Sequence, residues 1–337
     1  MDGRIGTCCT FVDAGGDAEA VRPLNFRMPT IASIARSENP AVRLKEIVRD
    51  NLDTLDRQVE RMGALPRIER LFRIQSGFLI GWSHPALKDA WAPSLRSEVE
   101  ARLAAAGESA RTSDLRLSMH PAQHAILATH NPSALDNAVA DIEEHASIFA
   151  MLGYGDGWHS HGASVNIHGG ARGAGVAGIR YGLKRLSSSA RNLLTIENDE
   201  TSFGVDDLIE VAGDVALVVD FHHHWVKSGG EWLSPSDPRI AEIVASWRGV
   251  RPLAHISVSR ESVLGDYAND ALPDFATLTA AGHKPMSLRG HSDMMWNRAV
   301  NDFVARHLGW CDVEVEAKAK NLAAGQLAQH VRAMAAG

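Results

Sequence analysis

Six apolar runs in this chain end in, or enclose, a histidine or a carboxylate. His120 follows Leu115-Arg116-Leu117-Ser118-Met119, His168 follows Val165-Asn166-Ile167, Glu197 follows Leu193-Leu194-Thr195-Ile196, and Asp220 follows Leu217-Val218-Val219. His255 lies within 253–258, and Glu316 follows Asp312-Val313-Glu314-Val315. A buried strand has little use for an ionisable terminus, because an unpaired buried charge is costly. Six of them need a shared counter-charge, which bound divalent ions supply. Imidazole and carboxylate without thiolate suit Zn²⁺, Mn²⁺ or Fe²⁺ rather than Ca²⁺ or an iron–sulfur cluster. The set exceeds one tetrahedral site, so at least two ions are expected, with Glu197 near the middle of the order as a bridge. Ions ~3.5–4 Å apart form the clamp used for in-line phosphoryl displacement. His223, in an Asp-x-x-His spacing from Asp220, and His291, in the loop Arg289-Gly290-His291-Ser292-Asp293, can reach the same place. His159 and His161, beside a glycine-rich region, read as structural or surface residues.

The elements that must position these residues alternate. Candidate strands fall at 5–12, 71–75, 115–119, 163–167, 193–196, 215–219, 253–257 and 311–315. Between them lie helical patterns. Leu44, Val48, Leu55, Val59 and Met62 form one face behind the entry signal Asn39-Pro40, and Leu135, Val139, Ile142, Phe149 and Leu152 form another behind Asn131-Pro132. Weaker patterns cover 95–107, 237–247, 294–308 and 320–335. Strands alternating with helices imply parallel pairing, either in a doubly wound sheet or in a closed (β/α)₈ TIM barrel. No GxGxxG follows the first strand, which weakens the dinucleotide-binding solution. The ring of polar strand ends decides for the barrel, where all carboxyl ends share one mouth.

Length and composition fit this picture. A chain of 337 residues, 45% hydrophobic, can bury one large barrel, expected here as a single domain with a long insertion at about 258–290 and a C-terminal helix at about 320–335. No stretch approaches the ~20 apolar residues of a membrane helix, and the start has no signal-peptide architecture. Three cysteines without a CxxC pair exclude a disulfide framework or zinc ribbon and fit a reducing cytoplasm. The net charge of −7 does not announce a nucleic-acid binder, although bound divalent ions add positive charge that the formal count omits.

At these residues the chain resembles the UV damage endonucleases, relatives of endonuclease IV among metal-dependent TIM barrels. The similarity runs in order through Phe72-Arg73-Ile74, Ser118-Met119-His120-Pro121-Ala122-Gln123, Ile167-His168-Gly169-Gly170 and Ile196-Glu197-Asn198-Asp199. It continues through Val219-Asp220-Phe221-His222-His223-His224, His255-Ile256-Ser257, Gly290-His291-Ser292-Asp293 and Val315-Glu316-Ala317-Lys318. The resemblance implies two or three divalent ions, with Mn²⁺ or Zn²⁺ first and Mg²⁺ or Co²⁺ as alternatives. One ion would sit on His120, His168 and Glu197, a second on Glu197, Asp220, His255 and Glu316, and a third on His223 and His291. It further implies a monomer that nicks double-stranded DNA 5′ to UV photoproducts or other helix distortions by in-line attack of metal-activated water, leaving 3′-hydroxyl and 5′-phosphate ends. Glu197, Asp220, His255 and Glu316 would form the catalytic set. Gln123, His124, Arg73 and Lys318 would touch DNA, Gln123 and His124 by insertion beside a lesion whose stacking is already weakened.

Three departures from the family pattern stand out. Thr7 occupies the place of an expected tyrosine, His124 that of another aromatic probe, and Leu253 that of a lysine two residues before His255. Two other readings compete. A sugar isomerase or epimerase on a similar barrel predicts a narrow pocket, and a non-catalytic relative that binds distorted DNA predicts lost ligands. The Ser118-Met119-His120-Pro121 and Glu197-Asn198-Asp199 segments argue against the first, and the intact ligand set argues against the second.

Overall fold

A computed structural model describes residues 2–265 and 267–336. Its strands are β1 (Ile5–Cys9), β2 (Leu71–Ile74), β3 (Arg116–Met119), β4 (Ser164–His168), β5 (Leu194–Glu197), β6 (Ala216–Asp220), β7 (Leu253–Ile256) and β8 (Asp312–Val315). They pair in parallel in that order, and β1 closes on β8. The result is the (β/α)₈ barrel that the strand-end pattern implies.

Seven of the strands lie within one residue of their expected limits at each end. The first does not, because its ladder stops at Cys9 rather than running to residue 12. Cys9 turns into the left-handed region at φ 66°. Beyond it, the Phe11 and Val12 amides donate to the side-chain oxygens of Asn25 and Asn321 at 2.8 and 2.7 Å instead of to a neighbouring strand.

The two strongest helical patterns form as their caps dictate. Asn39 accepts the Val42 amide and starts Pro40–Gly63, whose residues Leu44, Val48, Leu55, Val59 and Met62 are all buried. Asn131 accepts the Ala134 amide and starts Pro132–Met151. Between β7 and β8, the described residues of the segment 258–290 carry three short helices, Glu261–Leu264, Phe275–Ala280 and Pro285–Leu288. Leu264, Leu278 and Leu288 from these helices bury Trp225, which belongs to the helix that follows β6. The last helix, Lys320–Ala336, packs across β1 and β8.

Alternation along each strand sends every second side chain to the barrel axis. In β8 and its extension these are Asp312, Glu314 and Glu316, and in β3 they are Arg116, Ser118 and His120. The interior is therefore layered and largely polar. On its floor, the fully buried Asp312 carboxylate accepts the Arg4 amide at 2.8 Å, Arg116 Nη1 at 2.9 Å and Arg251 Nε at 2.8 Å. Arg4 Nη1 adds a fourth contact at 3.2 Å, and the Arg116 guanidinium lies 5.3 Å from the centre of the Trp247 ring. Trp247 joins Leu71, Ala216, Val218 and Leu253 in the apolar part of this floor.

This knot generates a stability prediction. Asp312→Asn leaves three guanidinium groups around an uncharged amide and is expected to cost about 3 kcal/mol at neutral pH. Burial opposes ionisation of Asp312, but Arg116 and Arg4 outweigh it and depress the pKa. The unfolded value is about 3.9. The stabilisation is therefore complete above about pH 4 and is lost as pH falls through the lower folded value. Urea unfolding of both proteins at about pH 7 and about pH 3 should show the gap between them narrowing at acid pH. An unchanged gap contradicts the assignment.

Candidate metal centre

The carboxyl ends of six consecutive strands bring the predicted side chains to one rim. His168 closes β4 and Glu197 closes β5, directly paired in register, while Asp220 closes β6 beside His255 of β7. His120 and Glu316 stand one residue past β3 and β8. The ligand atoms of His120, His168 and Glu197 all lie within 4.8 Å of one another, and so do those of Glu197, Asp220, His255 and Glu316. Glu197 belongs to both groups. Its Oε2 is 3.5 Å from His120 Nε2, and its Oε1 is 3.0 Å from His255 Nδ1 and 3.4 Å from His223 Nδ1. His255 Nδ1 is also 3.3 Å from Glu316 Oε1.

The other two histidines border this cluster. His223 Nδ1 lies 3.8 Å from Asp220 Oδ2, and His291 Nδ1 lies 3.9 Å from Glu316 Oε2. Their rings are 5.8 Å apart. His223 is placed by the helix Phe221–Ser228, whose first turn Asp220 caps by accepting the His223 amide at 2.7 Å. One carboxylate thus both starts the helix and faces the cluster.

The donor set fits divalent ions on chemical and structural grounds. Nitrogen and carboxylate oxygen without sulfur suit Zn²⁺ and Mn²⁺. Among the described residues, Asp220 Oδ2 and His168 Nδ1 are buried without a hydrogen-bond partner, an expensive condition that a coordinated centre accounts for. The protonation pattern points the same way. Burial opposes charge on both rings, yet Asp220 and Glu197 hold His223 well above its ordinary range, and Glu197 and Glu316 lift His255 to about 10 against Arg73. Burial likewise opposes the Glu197 anion, but His255 and His168 hold it well below the usual carboxylate range. The carboxylates around these two rings are the common cause of both shifts, and a divalent ion would balance the same negative charge.

The expected DNA contacts are placed differently from one another. Arg73 is buried beneath the ligands rather than presented at the surface, because alternation in β2 turns it inward. Its Nε donates to Glu314 and its Nη1 to Glu316, both at 2.6 Å. Lys318 is exposed and pairs with Asp293 at 3.1 Å. Gln123 and His124 are both exposed on the loop after β3 but open onto different hollows. Gln123 shares a cavity of about 330 Å³ with His168, Gly170, Glu200 and Arg289, whereas His124 lines a groove with Met28, Ile80 and Glu144. Thr7 and Leu253 are buried, and Leu253 belongs to the apolar floor. Of the two histidines read as structural or surface, His159 is buried against the Ala163 carbonyl at 2.9 Å, and His161 is exposed.

Four polar residues around the cluster escape a reading of strand ends. Asn166 donates to Glu197 Oε2, and Asn198 is bonded twice to the Asp220 backbone, at 2.9 and 3.0 Å. Glu200 lies 3.8 Å from His223 Nε2 and 3.2 Å from Arg289 Nε. Glu314, fully buried, accepts from Arg73 and Ser118 and faces His255 Nε2 at 3.2 Å. Asn166 and Glu314 were detectable as polar residues two positions before His168 and Glu316, hence on the same face.

The family model of UV-endonuclease UvdE matches residues 3–336. The chain belongs to this family. Among its relatives, a UV-damage endonuclease of Neurospora crassa is 30% identical over 203 residues, which is 56% of this chain and 30% of that protein. A UV DNA damage endonuclease of Clostridium perfringens is 26% identical over 220 residues, 65% of this chain and 48% of its own length. One from Nostoc is 26% identical over 156 residues, 46% of each chain. The chain thus matches about half or less of the length of these relatives. The crystal structure of SacUVDE superposes with a TM-score of 0.74 at 19% identity over 99% of both chains, a likeness of fold. No helix among the described residues is long and apolar enough to cross a membrane.

Binding of a divalent ion to this cluster is expected to release protons from His223 and His255, because a ligating imidazole must offer a lone pair. Both folded-state values are raised, so the protons compete at neutral pH and affinity climbs as pH rises toward those values. Calorimetric titration with Mn²⁺ in buffers of different ionisation enthalpy measures the released protons. Affinity that stays constant between about pH 6 and about pH 8 contradicts the prediction.

Proposed function

We propose that this chain is a metal-dependent endonuclease that nicks double-stranded DNA on the 5′ side of helix-distorting lesions such as UV photoproducts. The observation that carries the reading is the pair of ligand groups joined at Glu197, on the mouth of a barrel that belongs to the UvdE family. Divalent ions held there supply Lewis acidity and a water of lowered pKa, the chemistry that phosphodiester hydrolysis requires.

The chain's own residues supply the rest. His120, His168 and Glu197 hold one ion, and Glu197, Asp220, His255 and Glu316 hold a second. His223 and His291 flank a third position. Asn166 fixes one oxygen of Glu197, so its carboxylate stays directed at both groups. Arg73 keeps Glu316 ionised at the back of the centre and does not meet the substrate. Gln123 enters the stack beside a distorted pair, a role supported by its place on a cavity that also borders His168. His124 and Lys318 contact the strand further out. Mn²⁺ or Zn²⁺ is the native ion, and the chain acts as a monomeric, single-domain barrel in the cytoplasm.

Irradiated and untreated plasmid, incubated with Mn²⁺ or with chelator, test this reading. Nicking is expected only of the irradiated plasmid and only with metal. Glu197→Gln and His168→Ala are each expected to abolish incision while circular dichroism and melting temperature stay near those of the parent. Full nicking by either variant, well folded and metal-replete, rejects the assignment.

A further inference from the structure

The Glu314 carboxylate is the least expected group in the barrel. It lies one layer below the rim, is fully buried, and touches none of the ligand-atom groups directly except through His255. Arg73 Nε donates to its Oε2 at 2.6 Å, and the Ser118 hydroxyl donates to its Oε1. Its Oε2 faces His255 Nε2 at 3.2 Å. The other ring nitrogen, Nδ1, faces Glu197 and Glu316 at 3.0 and 3.3 Å.

A neutral imidazole carries one proton and one lone pair. An ion shared by Glu197, Asp220, His255 and Glu316 must meet the lone pair on Nδ1, so the proton must reside on Nε2. That proton needs an acceptor. Two charged groups reach Nε2 among the described residues, Glu314 and the Arg73 Nη2 at 2.8 Å. A guanidinium only donates. With Arg73 as the sole partner, Nε2 would have to present its lone pair, Nδ1 would keep the proton, and the ring would be unable to ligate. The two neighbours therefore favour opposite tautomers of the same side chain.

We propose that Glu314 is the positioning residue that makes His255 a metal ligand, accepting the Nε2 proton so that the Nδ1 lone pair faces the Glu197–Glu316 side. This is a carboxylate–histidine–metal arrangement, in which the outer partner sets both ring orientation and basicity. Arg73 then has a defined task. It anchors Glu314 through Nε and Glu316 through Nη1, holding the outer acceptor and one ligand in fixed relation. The inference rests on the metal-centre reading above and extends it to a residue outside the ligand set.

The test uses the full chain with Zn²⁺, whose closed shell permits NMR. With ¹⁵N-labelled histidine, and His255 signals assigned by their loss in His255→Gln, the loaded parent protein is expected to show a protonated Nε2 and a metal-shifted Nδ1. Glu314→Gln, which no longer fixes the tautomer, is expected to bind Zn²⁺ and Mn²⁺ about 10–100-fold more weakly. A loaded parent with the proton on Nδ1 overturns the proposal whatever the variant does. So does a Glu314→Gln protein of unchanged metal affinity. These readouts need no DNA. A parent with the expected tautomer that never nicks irradiated plasmid would end the nuclease reading and leave this one standing. A nicking parent whose Glu314→Gln variant binds metal normally would do the reverse.

Discussion

Buried charge is the constraint that orders this barrel. Four carboxylates, Glu197, Asp220, Glu314 and Glu316, converge in its upper half, where, among the described residues, the one buried guanidinium in contact with them is that of Arg73. Two like charges 4 Å apart repel by about 4 kcal/mol even at an effective dielectric of 20, so a deficit of three positive charges is not tolerable. In the ion-free state His223 and His255 reduce it by holding protons. Two divalent ions would turn the deficit into a surplus of one. The same counting softens the objection raised by a net charge of −7, since the sign of the mouth depends on its ions rather than on the chain average.

Topology does the positioning at little local cost. Parallel strands all deliver their carboxyl ends to one rim, and alternation places the polar residues of β3, β4 and β8 on the axis in register. The loops then add what the strands cannot. The turn after β6 doubles as a helix start, which presents His223 beside Asp220. The segment between β7 and β8 is tied down where His222 Nε2 and the Ser259 hydroxyl both meet the Leu288 carbonyl. That tie sets Arg289 against Glu200 at the edge of the mouth.

The strand ends were legible because each interrupts an apolar run with a group that has no business in a core. Eight strands in one order, and the ligands at their ends, follow from that local contrast. What the sequence hid were relations across closure of the barrel. Arg73 and Glu314 are 241 residues apart, and nothing in Leu71-Phe72-Arg73-Ile74 says that the arginine meets a carboxylate instead of DNA. The early end of β1 was hidden partly for the same reason, since Asn321, which takes the Val12 amide, lies 309 residues away, while Asn25 takes the Phe11 amide from the segment that follows the strand. Gln123 and His124, adjacent in sequence, open onto separate hollows because a turn sets neighbouring side chains apart.

The middle layer of the barrel bears on why such relations exist at all. A buried ion pair is weak evidence for stability, because replacing it with apolar residues of similar volume is often neutral or favourable. An apolar layer at the level of Arg73, Ser118 and Glu314 would close the barrel at least as well. It would also leave His255 with no acceptor on its lower edge and Glu316 with no cation behind it. The polar layer is therefore better explained by what lies above it than by folding. It converts a ring of side chains that merely meet into one whose lone pairs face inward, and orientation of that kind is what a coordinated centre demands of the protein around it.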